Sequence, residues 1–317
     1  MNAVADPLPG SRDAARKSFP NAALCSGYDE LEYHSLDALL VASPPSTHLA
    51  ILNWAMPRRI PVFIEKPFLL RGEIGGLKEP DDAGRLIMPN FNRRWWPAYQ
   101  RIRDICSSGR LGRLRRAEFA LHIDVGPWLL VTSHRIDRAE GGALYDLASS
   151  QFDLIQYVLG HKIARLDAHS HSVQWPNDDI QIEAQLENGL PVGCRVSYSR
   201  RNRETIEIVG DGATVRIGNP NCAVHVEARR SVIRDIVGWA EDAMVFGPKA
   251  LLRERSMLHY TIRSALAEFF SALRERRPFS PNFSDAIEND RCLEAAARSL
   301  GEKIAIKLSS AGTLAHG

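Results

Sequence analysis

Residues 37–67 read DALLVASPPSTHLAILNWAMPRRIPVFIEKP, and the fold of the chain turns on them. After Asp37 comes an uncharged run, Ala38-Leu39-Leu40-Val41-Ala42. It is too short for a helix and shows no polar alternation, as expected of a strand buried on both faces of a parallel sheet. Ser43-Pro44-Pro45-Ser46 follows, and two prolines stop any helix there. Ser46 is placed to cap a helix over 47–55. Past Arg58-Arg59, the run Ile60-Pro61-Val62-Phe63-Ile64 reads as a second buried strand, delivering Glu65-Lys66-Pro67 at its C-terminal end. Strand, helix and strand make a parallel crossover, and open parallel sheets bind ligands beyond their C-terminal strand ends. Both polar turns of this stretch lie on that edge.

Working outward, 317 residues suffice for two domains, each with its own core. A hydrophobic content of 44% with 25% charged residues is that of a globular protein, and 40 basic against 38 acidic residues leave a net charge of +2. Such a balance disfavours a nucleic-acid binder and gives no reason for an anionic membrane surface. The five cysteines are scattered, with no Cys-x-x-Cys pair, so neither a zinc site nor a disulfide framework is indicated. No signal peptide is visible and no apolar run nears the roughly 18 residues of a membrane span. The expected compartment is the cytoplasm.

Toward the N-terminus, residues 2–5 read as a short strand ending in Asp6-Pro7, with a helix over about 10–19. Toward the C-terminus, residues 68–84 carry four glycines and one proline, which argues against a regular helix. A strand at 86–88 runs into Asn90-Phe91-Asn92-Arg93-Arg94-Trp95, and residues 96–107 form an amphipathic helix with Tyr99, Ile102 and Ile105 on its apolar side. From Leu114 the pattern becomes period-two: strands at about 117–124, 164–170, 181–186, 192–198, 205–209 and 214–217, with Asn188-Gly189 and Asp211-Gly212 as turns. A helix over 141–159 lies between the first two, and helices over 257–274 and 285–300 close the chain. The fold class is therefore α/β: a parallel-sheet domain over 1–92, then an α/β domain over 93–317 with a mostly antiparallel open sheet.

The helix GGALYDLASSQFDLIQYVLG sets Asp146, Ser150 and Asp153 at i, i+4 and i+7, on one face of a regular α-helix. The strand, Ser-Pro turn with His48, helix, strand and Glu65-Lys66-Pro67, together with this Gly-Gly helix and the Asn-x-Arg segment, resemble the Gfo/Idh/MocA oxidoreductases. The resemblance implies a Rossmann-type domain followed by a substrate and oligomerisation domain. It implies NAD(P)-linked oxidation or reduction of a hydroxyl or carbonyl on a sugar, cyclitol or similar polyol, with NAD favoured over NADP because Asp6 stands where an acid binds the adenosine ribose. Ser43, Pro44, His48, Glu65 and Lys66 are then cofactor contacts. Lys66, Asp146 and Ser150 carry the chemistry, and Arg94, Asp153 and His134 face the substrate. The resemblance also implies a homodimer or homotetramer formed through the outer face of the second sheet.

Two family features are missing. No G-x-G-x-x-G follows a strand anywhere in the sequence, although the family's first strand, Gly-rich turn and helix would precede Asn2 and cradle the pyrophosphate. Either the coding start is placed late or dinucleotide binding has been given up. The family helix reads Gly-Gly-x-x-x-Asp-x-x-x-His, and Ser150 occupies the histidine position. A serine only donates a hydrogen bond or holds a water, so the proton role passes to Lys66, with His134 as a replacement histidine. The competing reading is a non-redox binding or accessory protein of the same fold.

Overall fold

The computed structural model describes residues 1–78, 82–126, 141–218, 224–228 and 254–308. The crossover of 37–67 forms as the sequence dictates. Strand β3 (Leu39–Val41), helix α2 (His48–Ala55), β4 (Val62–Ile64) and β5 (Ile87–Pro89) build a three-stranded parallel sheet in the order β3-β4-β5. β4 is its centre and wholly buried, which is why its run of apolar residues shows no alternation. Ahead of it, β1 (Ala3–Ala5) and β2 (Ala23–Cys25), joined by α1 (Pro9–Ser18), form a separate two-stranded parallel sheet. No described strand bridges β1 to β3.

Two local expectations are corrected. Residues Pro45–Thr47 form a tight 3-10 turn, so α2 starts at His48 rather than at residue 47. Ser46 is not its cap: the residue before the helix is Thr47, whose hydroxyl donates to Pro44 O (2.8 Å) and meets Ser43 Oγ (2.6 Å) instead of capping. Among the described residues, the stretch after Lys66-Pro67 forms only a 3-10 turn (Ile74–Gly76) and one helical turn, α3 (Ala83–Leu86), as its glycines foretell.

Helix α4 (Pro97–Ser107), opened by its proline, leads into an eight-stranded sheet in the order β12-β11-β10-β6-β9-β8-β7-β13. Its strands are β6 (Leu114–His122), β7 (Ile163–His171), β8 (Asp179–Leu186), β9 (Pro191–Ser197), β10 (Arg203–Gly210), β11 (Ala213–Ile217), β12 (His225–Ala228) and β13 (Ile306–Lys307). All neighbours are antiparallel except β6 and β9. The inward residues (Ala117, Phe119, Leu121, Ile180, Ile182, Val192, Cys194, Ile206, Ile208) pack on α4 and on α5 (Ser149–Leu159). The outward residues are polar: Gln181 and Glu183 on β8, Arg195 on β9, Glu118 on β6, Arg203, Thr205 and Glu207 on β10.

The last two helices, α6 (Glu254–Glu275) and α7 (Phe283–Glu302), return to the first sheet. Ala265, Phe269 and Ala272 of α6 cluster with Phe63 and Met88, and Phe283 and Ala286 of α7 join the cluster around β3, β4 and α2. Helix α7 is fixed at its start by a capping box between Asn282 and Asp285. Among the described residues no helix is long and apolar enough to cross a membrane.

Candidate active site

The site forms where the C-terminal ends of β3 to β5 meet the Gly-Gly helix. Gly141 and Gly142 both have positive φ, +82° and +59°. At Gly141 a Cβ would also stand 2.5 Å from the Tyr145 ring, so only glycine fits there. Beyond them, Leu144–Ala148 wind as a π turn before α5 begins. A π turn is wider than an α turn and is often found at functional sites. Here the Asp146 carbonyl accepts from Lys66 Nζ (2.6 Å) and from Ser149 Oγ (3.1 Å).

Lys66 lies just past β4, its peptide to Pro67 cis. Its ammonium donates to Asp146 Oδ1 at 2.5 Å as well as to the Asp146 carbonyl, and both side chains are about one-fifth exposed. The other carboxylate oxygen, Oδ2, accepts from the Tyr198 hydroxyl at 2.8 Å. Tyr198 follows β9 directly and is 1% exposed. The sequence brings Lys66 and Asp146 together, as expected from the motifs, and adds Tyr198 unannounced.

The three residues placed on one stripe separate in space. The π turn changes the phase between Asp146 and α5, so Asp146 faces Lys66 while Asp153 is buried against Arg94. The Arg94 Nε donates to both Asp153 oxygens (3.0 and 3.1 Å), and its Nη2 reaches Oδ1 at 2.5 Å. Asp285 lies 3.2 Å from the same Nη2, and Arg94 packs over the rings of Phe91 and Tyr157. Arg94 and Asp153 are thus committed to each other. Ser150 is half-buried and makes no hydrogen bond among the described residues. His134 lies outside the described residues.

His48 is fully buried. Its Nδ1 lies 3.1 and 3.0 Å from the carbonyls of Pro67 and Phe68, and its Nε2 lies 3.1 Å from the Ser43 carbonyl. The ring therefore ties the β3 turn to the Lys66 turn, with both nitrogens against backbone carbonyls. Burial pushes its pKa below the ordinary value, against the pull of those three carbonyls. Asp290 of α7, also buried, accepts the Leu69 N–H at 3.0 Å, and Glu294 accepts the Gly72 N–H at 3.0 Å. Burial drives the Asp290 carboxyl well above the usual carboxylate range. Nothing in the sequence singles out Asp290 or Glu294, two acids in a long helix.

The edge also offers groups for a dinucleotide. Asp6 follows β1 and accepts the Leu8 N–H through Oδ1 (2.8 Å), leaving Oδ2 without a partner among the described residues. Asn90, past β5, donates to Glu65 Oε1 (2.6 Å), and its own Oδ1 is buried without a partner there. Ser43 and Pro44 lie in the turn that follows β3. These oxygens and amides are of the chemical kind that the ribose and nicotinamide ends of the cofactor take, and no G-x-G-x-x-G follows a strand in the sequence for the diphosphate.

Residues 99–216 match the model of the GFO/IDH/MocA C-terminal domain. The inositol 2-dehydrogenase of Rhizobium meliloti is 23% identical over 97% of this chain and 91% of its own length. The scyllo-inositol 2-dehydrogenase (NAD(+)) of Bacillus subtilis is 25% identical over 55% of this chain and 50% of its own. Among solved structures, the WlbA dehydrogenase of Bordetella pertussis, in complex with NADH and UDP-GlcNAcA, superposes with a TM-score of 0.81. It is 18% identical, covering 98% of this chain and 90% of that one. The domain match, a relative aligned along nearly the whole chain and the shared two-sheet fold agree with the motifs at Lys66 and Gly141: residues 99–216 are a GFO/IDH/MocA C-terminal domain, and the chain as a whole is similar to the Gfo/Idh/MocA oxidoreductases.

Proposed function

We propose that the protein is an NAD-linked oxidoreductase acting on a hydroxyl or carbonyl of a sugar, cyclitol or similar polyol. The observation that carries this reading is the Lys66–Asp146 pair, formed across 80 residues at the C-terminal edge of the parallel sheet. A relative's name, inositol 2-dehydrogenase, and the sugar nucleotide bound to WlbA point to the same substrate class. When bound, the nicotinamide supplies or accepts the hydride. Lys66 gives a proton to, or takes one from, the reacting substrate oxygen. Asp146 holds the ammonium in place and balances its charge, and Ser150, in the first turn of α5, donates to a second substrate hydroxyl. Asp6 holds the adenosine ribose, while Ser43, Pro44 and Glu65 line the nicotinamide side. Residues 1–92 serve as the nucleotide side and 93–317 as the substrate side, in a cytoplasmic homodimer or homotetramer. The test is turnover on a panel of sugars and polyols with NAD at saturating concentration. Lys66→Ala is expected to lower turnover by roughly 10²–10⁴-fold, the worth of a positioned acid/base. A wild-type enzyme that is active but indifferent to that change would end the assignment of Lys66.

A further inference from the structure

We propose that Tyr198 is the positioning residue of this site, setting the Lys66 ammonium through Asp146. The proposal rests on the reading of Lys66 as the proton-transfer group, and it can be tested apart from turnover. Three observations carry it. First, the Tyr198 ring is placed by its backbone, independently of its hydroxyl: its N–H donates to Asp178 O (2.8 Å) and its carbonyl accepts from Val125 N (3.3 Å). The ring itself lies in the apolar core beneath the eight-stranded sheet. A phenylalanine would fill the same space, so packing alone does not call for the oxygen. Second, that oxygen reaches across 52 residues to Asp146 Oδ2 at 2.8 Å, in a site where a buried hydroxyl needs a partner. Third, Asp146 sits in a π turn whose backbone is already engaged with Lys66 and Ser149.

A carboxylate bonded at one oxygen swings freely about its last torsion. Bonded at both, it is held in one plane. With Oδ2 fixed by the phenol, Oδ1 and the main-chain carbonyl of Asp146 stand as two acceptors at set positions, and Lys66 Nζ meets both, at 2.5 and 2.6 Å. Tyr198 thus anchors the lysine of the first sheet to a strand end of the second, and misplacing a reacting group by about 1 Å is enough to cost rate.

The test is Tyr198→Phe, read by the acylation rate of each lysine with acetic anhydride, followed by mass spectrometry. Lys66 is expected to label several-fold faster than in wild type, with the exposed Lys17 and Lys162 unchanged as internal references for reagent dose; a thermal midpoint near that of wild type separates this from a general loosening of the fold, and a collapsed midpoint overturns the proposal. Asp146→Asn serves as a second variant that leaves the phenol in place. It should also expose Lys66, and the double variant should label no faster than Asp146→Asn alone, because the link runs through that carboxylate. In turnover, Tyr198→Phe should lower kcat by roughly tenfold, a charged hydrogen bond's worth, with KM unchanged. An unchanged Lys66 labelling rate in either single variant overturns the proposal. Faster labelling with no turnover by any variant or by wild type would uphold the positioning and sink the oxidoreductase reading instead.

Discussion

A guanidinium at position 66 would keep the positive charge and the Asp146 partner, yet it stays protonated at any working pH. Lys66→Arg should therefore fall as far as Lys66→Ala in turnover while retaining the thermal midpoint of wild type. An arginine variant as active as wild type would mean that position 66 supplies charge and no proton. His48 makes the opposite case, a titratable group whose work is structural. Because burial lowers its folded-state pKa below that of the unfolded chain, about 6.5, the unfolded state takes up the proton first. The stability it contributes is complete above that pH and is lost as pH falls through it toward the folded value. Thermal midpoints of wild type and His48→Gln, measured from about pH 5 to 8, should diverge most at the neutral end. They should converge on acidification, since glutamine does not titrate. Parallel curves would show that the His48 pKa is the same in the folded and unfolded chain. The loss at neutral pH should be about 1–3 kcal/mol, the range for orphaning buried carbonyls.

Strand β1, helix α1 and Asp6 are the groups expected to hold the ribose end of a dinucleotide, whereas no G-x-G-x-x-G follows a strand in the sequence to receive the diphosphate. The negative phosphates draw their binding energy from N–H groups at a helix N-terminus approached through glycines. Helix α1 offers instead Pro9, which has no N–H, and Gly10. The 317-residue chain should consequently bind NADH only weakly. Titrating NADH fluorescence against the purified chain checks this, and a dissociation constant in the low micromolar range would refute it. The same elements show what a sequence discloses. Period-two alternation gave away the strands of the large sheet because one face of each is wet and the other is core, as in β8, where buried and exposed residues alternate from Ile180 to Leu186. The unbroken apolar run of β4 marked a strand covered on both sides. The π turn at Leu144–Ala148 left no such trace: a heptad-like spacing of Asp146, Ser150 and Asp153 assumes α geometry, and the departure is settled by contacts with Lys66 and Tyr198. Tyr198 itself reads as one more core aromatic after a strand, and its partner is fixed only by how β9 packs on the Gly-Gly helix. His48 was visible as a polar residue on the right turn, but carbonyls 19 and 20 residues further along decide that it braces the turn.

At the scale of the whole molecule, the outer face of the eight-stranded sheet is where self-association is expected. Register places its charges in rows: Asp179 and Ser197 line up with His122 and Arg203 at one end, and Asp167 and Glu183 with Gly193, Glu118 and Glu207 at the other. At the first end Arg195 and Arg200 share Asp179, both at 2.8 Å, and Arg203 makes no ion pair among the described residues, so positive charge is in excess. At the second, Arg116 and Arg216 are shared by Glu207, and Glu183 has no ion pair among the described residues. Between them runs the row Gln181, Arg195, Ala120 and Thr205, in which Ala120 and Thr205 are small. A two-fold axis lying in the plane of the interface, perpendicular to the line joining the two ends, lays the basic end of one copy on the acidic end of the other, which is the self-complementarity an isologous interface requires. Light scattering at tens of micromolar should then give a dimer or tetramer whose dissociation is promoted by salt. Arg203→Glu or Glu183→Lys alone should shift it toward monomer, since each sets like charges against each other. The double variant Arg203→Glu/Glu183→Lys, which exchanges the two signs and restores the pairing, should recover the assembly. A wild-type protein that stays monomeric under these conditions would rule out this face as an interface. Recovery failing in the double variant while both single variants dissociate would place the contact on this face but deny the two-fold pairing of its ends.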